Sequence, residues 1–306
     1  MGHDKLRKFA ENETFSCLLQ PDASLVLDKS GDPSGGLRLH DHPIKGRWNG
    51  TMFAQDQPIV LELGCGKGEY TIDLSKRVPG RNYIGVDIKG ARLWRGAKTA
   101  TEERLPNVAF LRTRIEFIEA FFGPGEVSEI WLTFSDPQLK SENSRLTSPL
   151  FLERYRKFLK PGGIIHLKTD SRFLHEYSKA VALENGLTIL AATTDLYHEA
   201  TAEVSLRSTS ASRTPPPASP AVPPLTCPRV GTVAGGTLPT VAGPELFEVQ
   251  TFYERMFLSQ GYKITYLAFT IDHDGPYKHP YSFDSDYWRS IEGPRRFSHS
   301  PSSTQR

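Results

Sequence analysis

The chain of 306 residues carries 37 Lys and Arg against 35 Asp and Glu, a formal net charge of +2. That length can bury a sizeable core. The near-neutral balance excludes a uniformly basic nucleic-acid binder, so any such surface has to come from local clustering. Cys17, Cys65 and Cys227 are too widely spaced for a C-x-x-C metal pattern and odd in number for a disulfide framework, which points to a reducing compartment. No apolar run approaches the roughly 18 residues of a membrane span, and the first residues lack the apolar core of a signal peptide. A cytoplasmic protein is expected.

Residues 1–57 read as a polar, loop-rich N-terminal segment, with a basic cluster at Lys5–Lys8 and turn chemistry over Ser30–Gly36. From residue 58 strands are expected at 59–63, 82–87, 107–112, 129–134 and 163–168, with helices at 67–77, 90–104, 115–122 and 149–159. This alternation predicts a parallel sheet covered on both faces. Ser148 is expected to cap the helix that Pro149 opens, and Asp170 to cap a further helix over 171–184. Strands at 187–194 and 263–270, with a helix at 245–259 between them, complete seven strands. Residues 200–244 are rich in Pro, Ser, Thr, Ala and Gly and hold one acid and no aromatic residue. They are expected to be a disordered insertion, since such a stretch cannot bury enough apolar area to offset its ordering entropy. A single domain is therefore expected from 58–199 and 245–272. The tail, 273–306, is expected to be loosely docked or disordered.

The chemistry concentrates at Ile59-Val-Leu-Glu-Leu-Gly-Cys-Gly-Lys-Gly68, where a strand ends in three alternate glycines, Gly64, Gly66 and Gly68. Glycine lets the backbone turn tightly and approach a ligand closely. The next strand, Tyr83–Val86, ends in Asp87. An acid at that strand tip is where a ribose diol sits in doubly wound nucleotide-binding folds, so the pair implies an adenosine-containing cofactor. The fourth strand runs into Ser135-Asp-Pro-Gln-Leu-Lys140. The loop after it faces both cofactor and substrate, and Pro137 stiffens the turn that aims Asp136.

The G-x-G-x-G spacing, with Glu62 two residues ahead of it, resembles motif I of the class I S-adenosylmethionine-dependent methyltransferases rather than the G-x-G-x-x-G dinucleotide fingerprint. Gly85-Val-Asp-Ile-Lys89, Phe134-Ser-Asp-Pro137, Arg145-Leu146, Phe151-Leu-x-x-Tyr155, Gly162-Gly-x-Ile-His-Leu-Lys-Thr-Asp170 and Thr251-Phe-Tyr-Glu254 extend the likeness. Together they are similar to the bacterial tRNA (guanine-N7-)-methyltransferases over about 58–270. That resemblance implies a Rossmann-like, doubly wound, seven-stranded α/β sheet, mostly parallel with a terminal antiparallel hairpin. It implies methyl transfer from S-adenosylmethionine to N7 of a guanine in the variable loop of tRNA. It also implies that Glu62, Asp87 and Asp136 contact the cofactor, with Glu62 beside its cationic amino-acid end, and that Lys140, Asp170, Thr251 and Glu254 line the guanine side. Asp136 is the expected catalytic residue.

Two departures matter. Trp and several basic residues found after Asp-Pro in many members are missing here. Arg114 stands where many have Asp or Asn, so an adenine contact there has to use the backbone.

Lys89, Arg92, Arg95 and Lys98 follow the second strand with no acid between them, and residues 140–160 hold six basic residues (Lys140, Arg145, Arg154, Arg156, Lys157, Lys160) against two acids. These are the candidate phosphate contacts. His40, His42 and His273 lack ligand spacing and read as surface residues, so no metal is expected. Cys65 reads as a small loop residue, not a nucleophile. The expected partner is tRNA, with no membrane, and the protein a monomer or homodimer. A class I methyltransferase acting on another substrate, and an RNA-binding protein of this fold without turnover, remain as alternatives.

Overall fold

The computed structural model describes residues 2–28, 38–198 and 243–292. Most of the stretch expected to be a disordered insertion, the turn-rich loop around Ser30–Gly36 and the end of the tail lie outside the described residues.

Eight strands among the described residues form one sheet: β1 (Leu18–Leu19), β2 (Ile59–Leu63), β3 (Asn82–Asp87), β4 (Val108–Arg112), β5 (Val127–Thr133), β6 (Leu159–Thr169), β7 (Ile189–Thr193) and β8 (Thr265–Thr270). Their order is β1-β4-β3-β2-β5-β6-β8-β7. Every ladder is parallel except the two that β8 makes with β6 and β7. This is the doubly wound, class I methyltransferase arrangement expected from the sequence, with β1 added at one edge. Two residues are too few for a period-2 pattern to show, so β1 escapes a sequence reading.

The central strands are buried on both faces, as parallel strands under helices must be. Ile59, Leu61 and Leu63 of β2 enter a core with Phe121, Tyr155 and Leu174, while Val60 points to the opposite face with Tyr70 and Leu74. Helices α3 (Glu69–Arg77) and α4 (Gly90–Glu102) cover one face; α5 (Pro149–Tyr155) and α6 (Arg172–Glu184) cover the other. Inside β6, Pro161–Gly163 bulges, and the register steps from Val127↔Leu159 to Glu129↔Ile164.

Several local expectations are corrected. The N-terminal segment is more than loop. Helix α1 (Gly2–Asn12) is laced by Arg7–Asp4, Arg7–Glu11 and Lys8–Asp4 ion pairs one turn apart. It docks on α4 through Trp94 Nε1 donating to Glu11 Oε2 at 2.6 Å and Asn12 Nδ2 to Gly90 O at 3.0 Å. A short helix, α2 (Trp48–Met52), buries Trp48, whose Nε1 donates to Phe121 O at 2.8 Å. Residues 115–122 form a 3-10 turn, Ile115–Ala120. Ser148 is the N-cap residue of α5 as expected, but its hydroxyl turns back to Asn143 O at 3.3 Å and makes no capping bond to the helix. Ser171, not Asp170, caps α6, accepting from Leu174 N at 3.0 Å; Asp170 is thereby left at the strand end.

The helix expected at 245–259 is two, α7 (Glu245–Glu248) and α8 (Phe252–Ser259). The break has a cause: Lys168 Nζ donates to the carbonyls of Leu246 and Val249 at 2.7 and 3.1 Å, bonds a continuous helix would deny it. The described part of the tail touches the sheet's helices at several points. Asn185 and Lys278 exchange two hydrogen bonds, Phe283 packs edge-on against Phe173 and Tyr177, and Glu292 at the end of α9 (Ser285–Glu292) accepts from Phe173 N at 2.9 Å. No helix among the described residues is long and apolar enough to cross a membrane.

Candidate active site

The carboxyl ends of β2 to β6 open on one cavity of about 910 Å³, where open α/β sheets bind their ligands. Its floor is the glycine turn. The N–H groups of Gly64 and Cys65 both donate to Val86 O, at 2.8 and 3.0 Å, which folds the turn over the tip of β3. Gly66 and Gly68 lie at φ +59° and +72°, a region other residues rarely adopt. At Gly68 a Cβ would also stand 2.5 Å from the Phe110 ring. Gly64 and Gly66 line the cavity and Gly68 does not; Gly68 serves the packing of the turn on α4.

Asp87 braces this turn. Its Oδ2 accepts from Gly66 N at 3.0 Å and its Oδ1 from Lys89 N at 2.7 Å. Each carboxylate oxygen can accept a further hydrogen bond, and Asp87 lines the cavity. Glu62 lies deeper. Thr133 Oγ1 donates to its Oε1 at 2.6 Å, and Thr71 donates to Oε2 through both its N–H, at 2.9 Å, and its hydroxyl. Burial nevertheless dominates and pushes the Glu62 carboxyl up to about 7 against those three donors. Cys65 is buried beside these acids, and burial pushes its thiol well above the ordinary range, which suits an inert packing residue.

The loop after β5 holds two non-glycine residues at positive φ, Phe134 at +51° and Gln138 at +48°, flanking Asp136 and Pro137. Backbone in such conformations clusters at functional sites. Asp136 is exposed, lines the cavity and accepts from Gln138 N at 2.9 Å. Ser135 Oγ, on the same wall, is buried with no hydrogen-bond partner among the described residues. The sequence offers Ser135 only as a member of the Phe134-Ser-Asp-Pro137 motif, with no role of its own. Asp170, at the end of the neighbouring strand β6, and Thr251 also line the cavity.

A family model described as "Putative methyltransferase" matches residues 56–213. The tRNA (guanine-N(7)-)-methyltransferase of Bacteroides fragilis strain YCH46 is 39% identical over 297 residues, 97% of each chain. That of Porphyromonas gingivalis strain W83 is 40% identical over 293 residues, 95% of this chain and all of its own. That of Christiangramia forsetii is 42% identical over 270 residues, 88% of this chain and 98% of its own. The chain belongs to the tRNA (guanine-N(7)-)-methyltransferase family.

Within this family member, two expected guanine-side residues stand off the cavity. Lys140 is exposed on the loop beyond it. Glu254 is fully buried, its Oε1 2.8 Å from Lys168 Nζ and accepting from Tyr197 OH at 2.6 Å. Burial pulls the Lys168 ammonium below its ordinary range while Glu254 opposes the shift. Thr251 Oγ1 caps α8, accepting from Glu254 N at 3.2 Å, so one end of the T-x-x-E motif faces the cavity and the other anchors beneath it. Arg114 lines the cavity, but its guanidinium pairs with Glu116 at 3.1 Å.

The basic residues divide as well. Lys67, Lys89, Arg92 and Arg154 line the cavity and make no ion pair among the described residues. Lys157 is tied to Glu119 at 2.8 Å, and Arg156 to Glu153 and over the Tyr277 ring at 4.1 Å. Arg145 is buried, stacked 4.2 Å from the Tyr177 centroid, and serves the core. Sequence proximity grouped these residues; the helical turn of α5 separates Arg154 from its neighbours. No group of three or more His, Cys, Asp or Glu suited to a metal occurs among the described residues.

Proposed function

We propose that this chain transfers a methyl group from S-adenosylmethionine to N7 of a guanine in the variable loop of tRNA. The observation that carries the reading is one cavity joining an acid-braced glycine turn, an acidic wall at Asp136 and Asp170, and a rim of cations without acid partners. The names of the relatives above support it.

The residues present fit the cofactor. The free lone pairs of Asp87 suit the two hydroxyls of a ribose, and the turn from Gly64 to Gly66 lets a ligand approach the backbone. Glu62, which lines the cavity, would meet the ammonium group of the cofactor. Arg114, its side chain engaged by Glu116, leaves the backbone around Thr113 and Arg114 for the adenine. When bound, S-adenosylmethionine supplies an activated methyl group on a sulfonium. Guanine N7 presents its own lone pair, so the protein needs no general base; its task is alignment. Asp136 and Asp170 stabilise the positive charge that arises on the purine. Lys67, Lys89, Arg92 and Arg154 hold RNA phosphates at the rim, and Lys140 meets the strand beyond the target base.

The test is incubation with labelled S-adenosylmethionine and unmodified tRNA, followed by digestion to nucleosides. Label in 7-methylguanosine is expected. Label in another nucleoside, or none in RNA, refutes the reading.

A further inference from the structure

Phe252 and Tyr253 are large aromatic residues that remain 51% and 43% exposed, and both line the cavity. The backbone beneath them is rigidly held. Phe252 N donates to Glu69 Oε2 at 2.7 Å, Thr251 caps the helix they begin, and Glu254 in the same first turn is paired with Lys168. Only the rings stand free, with centroids 5.7 Å apart at 75°. The face of Phe252 already accepts a cation: Lys67 Nζ, from the glycine turn, lies 5.4 Å from its centroid.

A base inside folded RNA is stacked on its neighbours, and an enzyme acting on it has to draw it out and restack it, usually on an aromatic side chain. We propose that Phe252 is that stacking platform, with Tyr253 as its edge-on support, and that Lys67 gives way on the ring to the target guanine and moves to a phosphate. This rests on the function proposed above. In the transfer, the N7 lone pair forms the new N–C bond as the S–C bond breaks. That bond's electron pair stays on sulfur, no proton moves, and the positive charge passes to the purine. An aromatic face attracts a cation more than a neutral ring. Phe252 would therefore bind the methylated, cationic purine more tightly than guanine, and favour the charge as it develops.

The test compares Phe252→Leu, which keeps apolar bulk, with Phe252→Tyr, which keeps the π face. The probes are 7-methyl-GMP, whose intrinsic fluorescence reports stacking, and GMP as competitor, with S-adenosylhomocysteine present. The wild-type chain is expected to prefer 7-methyl-GMP by about three- to tenfold. Phe252→Tyr should keep that preference and Phe252→Leu should lose it. Single-turnover methylation of tRNA should fall by a similar factor in Phe252→Leu alone, at unchanged affinity for S-adenosylmethionine. Equal binding of the two nucleotides by wild type, or a preference surviving in Phe252→Leu, overturns the proposal. Loss of S-adenosylmethionine affinity in Phe252→Leu overturns it too, by placing the ring on the cofactor side. A wild-type chain that shows the Phe252-dependent preference but methylates no guanine N7 refutes the proposed function and leaves the platform standing.

Discussion

Lys168 Nζ and Glu254 Oε1 stand 2.8 Å apart with neither side chain exposed to solvent. The pair joins β6, which ends one residue before Asp170, to the helix that carries Thr251, Phe252 and Tyr253. Two walls of the cavity are therefore pinned by one ion pair. Removing one partner of a buried pair strands the other charge, at a cost of about 3–5 kcal/mol. Lys168→Met and Glu254→Gln are each expected to lower stability on that scale in urea unfolding. The double variant Lys168→Met/Glu254→Leu should lose less than the sum of Lys168→Met and Glu254→Leu. Full stability in Glu254→Gln with loss of methyl transfer would instead make Glu254 a direct substrate contact.

Asp87→Asn keeps the shape of the side chain and removes its charge. Weaker charge-assisted bonding to a ribose diol should reduce S-adenosylmethionine affinity by about 1–3 kcal/mol in calorimetry. Unchanged affinity would place the cofactor elsewhere.

Burial raises the Glu62 carboxyl from 4.5 to about 7. Between those values the folded chain holds a proton that the unfolded chain has released, so this group's contribution makes stability fall as pH rises through the window. Above pH 7 the loss is complete, at up to about 3 kcal/mol. Glu62→Gln cannot titrate. Urea unfolding at about pH 5 and about pH 8 should show the wild type losing ground to Glu62→Gln at the higher pH. A constant difference between the two proteins would mean that Glu62 is ionised throughout.

The salt dependence of tRNA affinity separates the two sets of cations. Each lost phosphate contact flattens the slope of log K against log salt by about 0.7–0.9. Arg92→Gln and Arg154→Gln are expected to do so, and Lys157→Gln, already paired with Glu119, is not. A flattened slope in Lys157→Gln alone would reverse the assignment of the RNA face.

Most of the sheet was legible because strand and helix periods alternate cleanly from Ile59 onward and glycines mark the turns. The N-terminal helix left a weaker trace: Asp4, Arg7, Lys8 and Glu11 have the spacing of helix ion pairs, but the segment lacks a long apolar stripe. Lys168 did carry a signal. A lysine in a strand buried on both faces needs a counter-ion, but the nearest motif acid along the chain is Asp170, and only the fold brings up Glu254 instead. What no sequence reading yields is which side of an element a residue takes when the helix breaks, as at Val249–Thr251. Thr251 opens the helix after that break and lines the cavity, while Glu254 in its first turn is buried beneath. The positive φ at Phe134 and Gln138 was equally hidden, because neither is glycine.

The chain on either side of residues 199–242 is tied together by the fold. Leu196 N donates to Ile264 O at 2.8 Å, Gln250 Nε2 to Tyr197 OH at 3.0 Å, and β8 slots between β6 and β7 as an inserted antiparallel strand. These contacts are expected to hold the two sides together without covalent continuity through 199–242. A protease site placed within 203–243 should yield, after cleavage, two polypeptides that co-elute on gel filtration and still methylate tRNA. A short Gly/Ser linker in place of that stretch should do as well, since loop closure depends only weakly on length. The enzyme is thus expected to behave as a split protein whose smaller piece donates the strand between β6 and β7. Separation of the pieces would show that the fold depends on the continuous chain, and methylation lost while S-adenosylmethionine still binds would show that residues 199–242 touch the RNA.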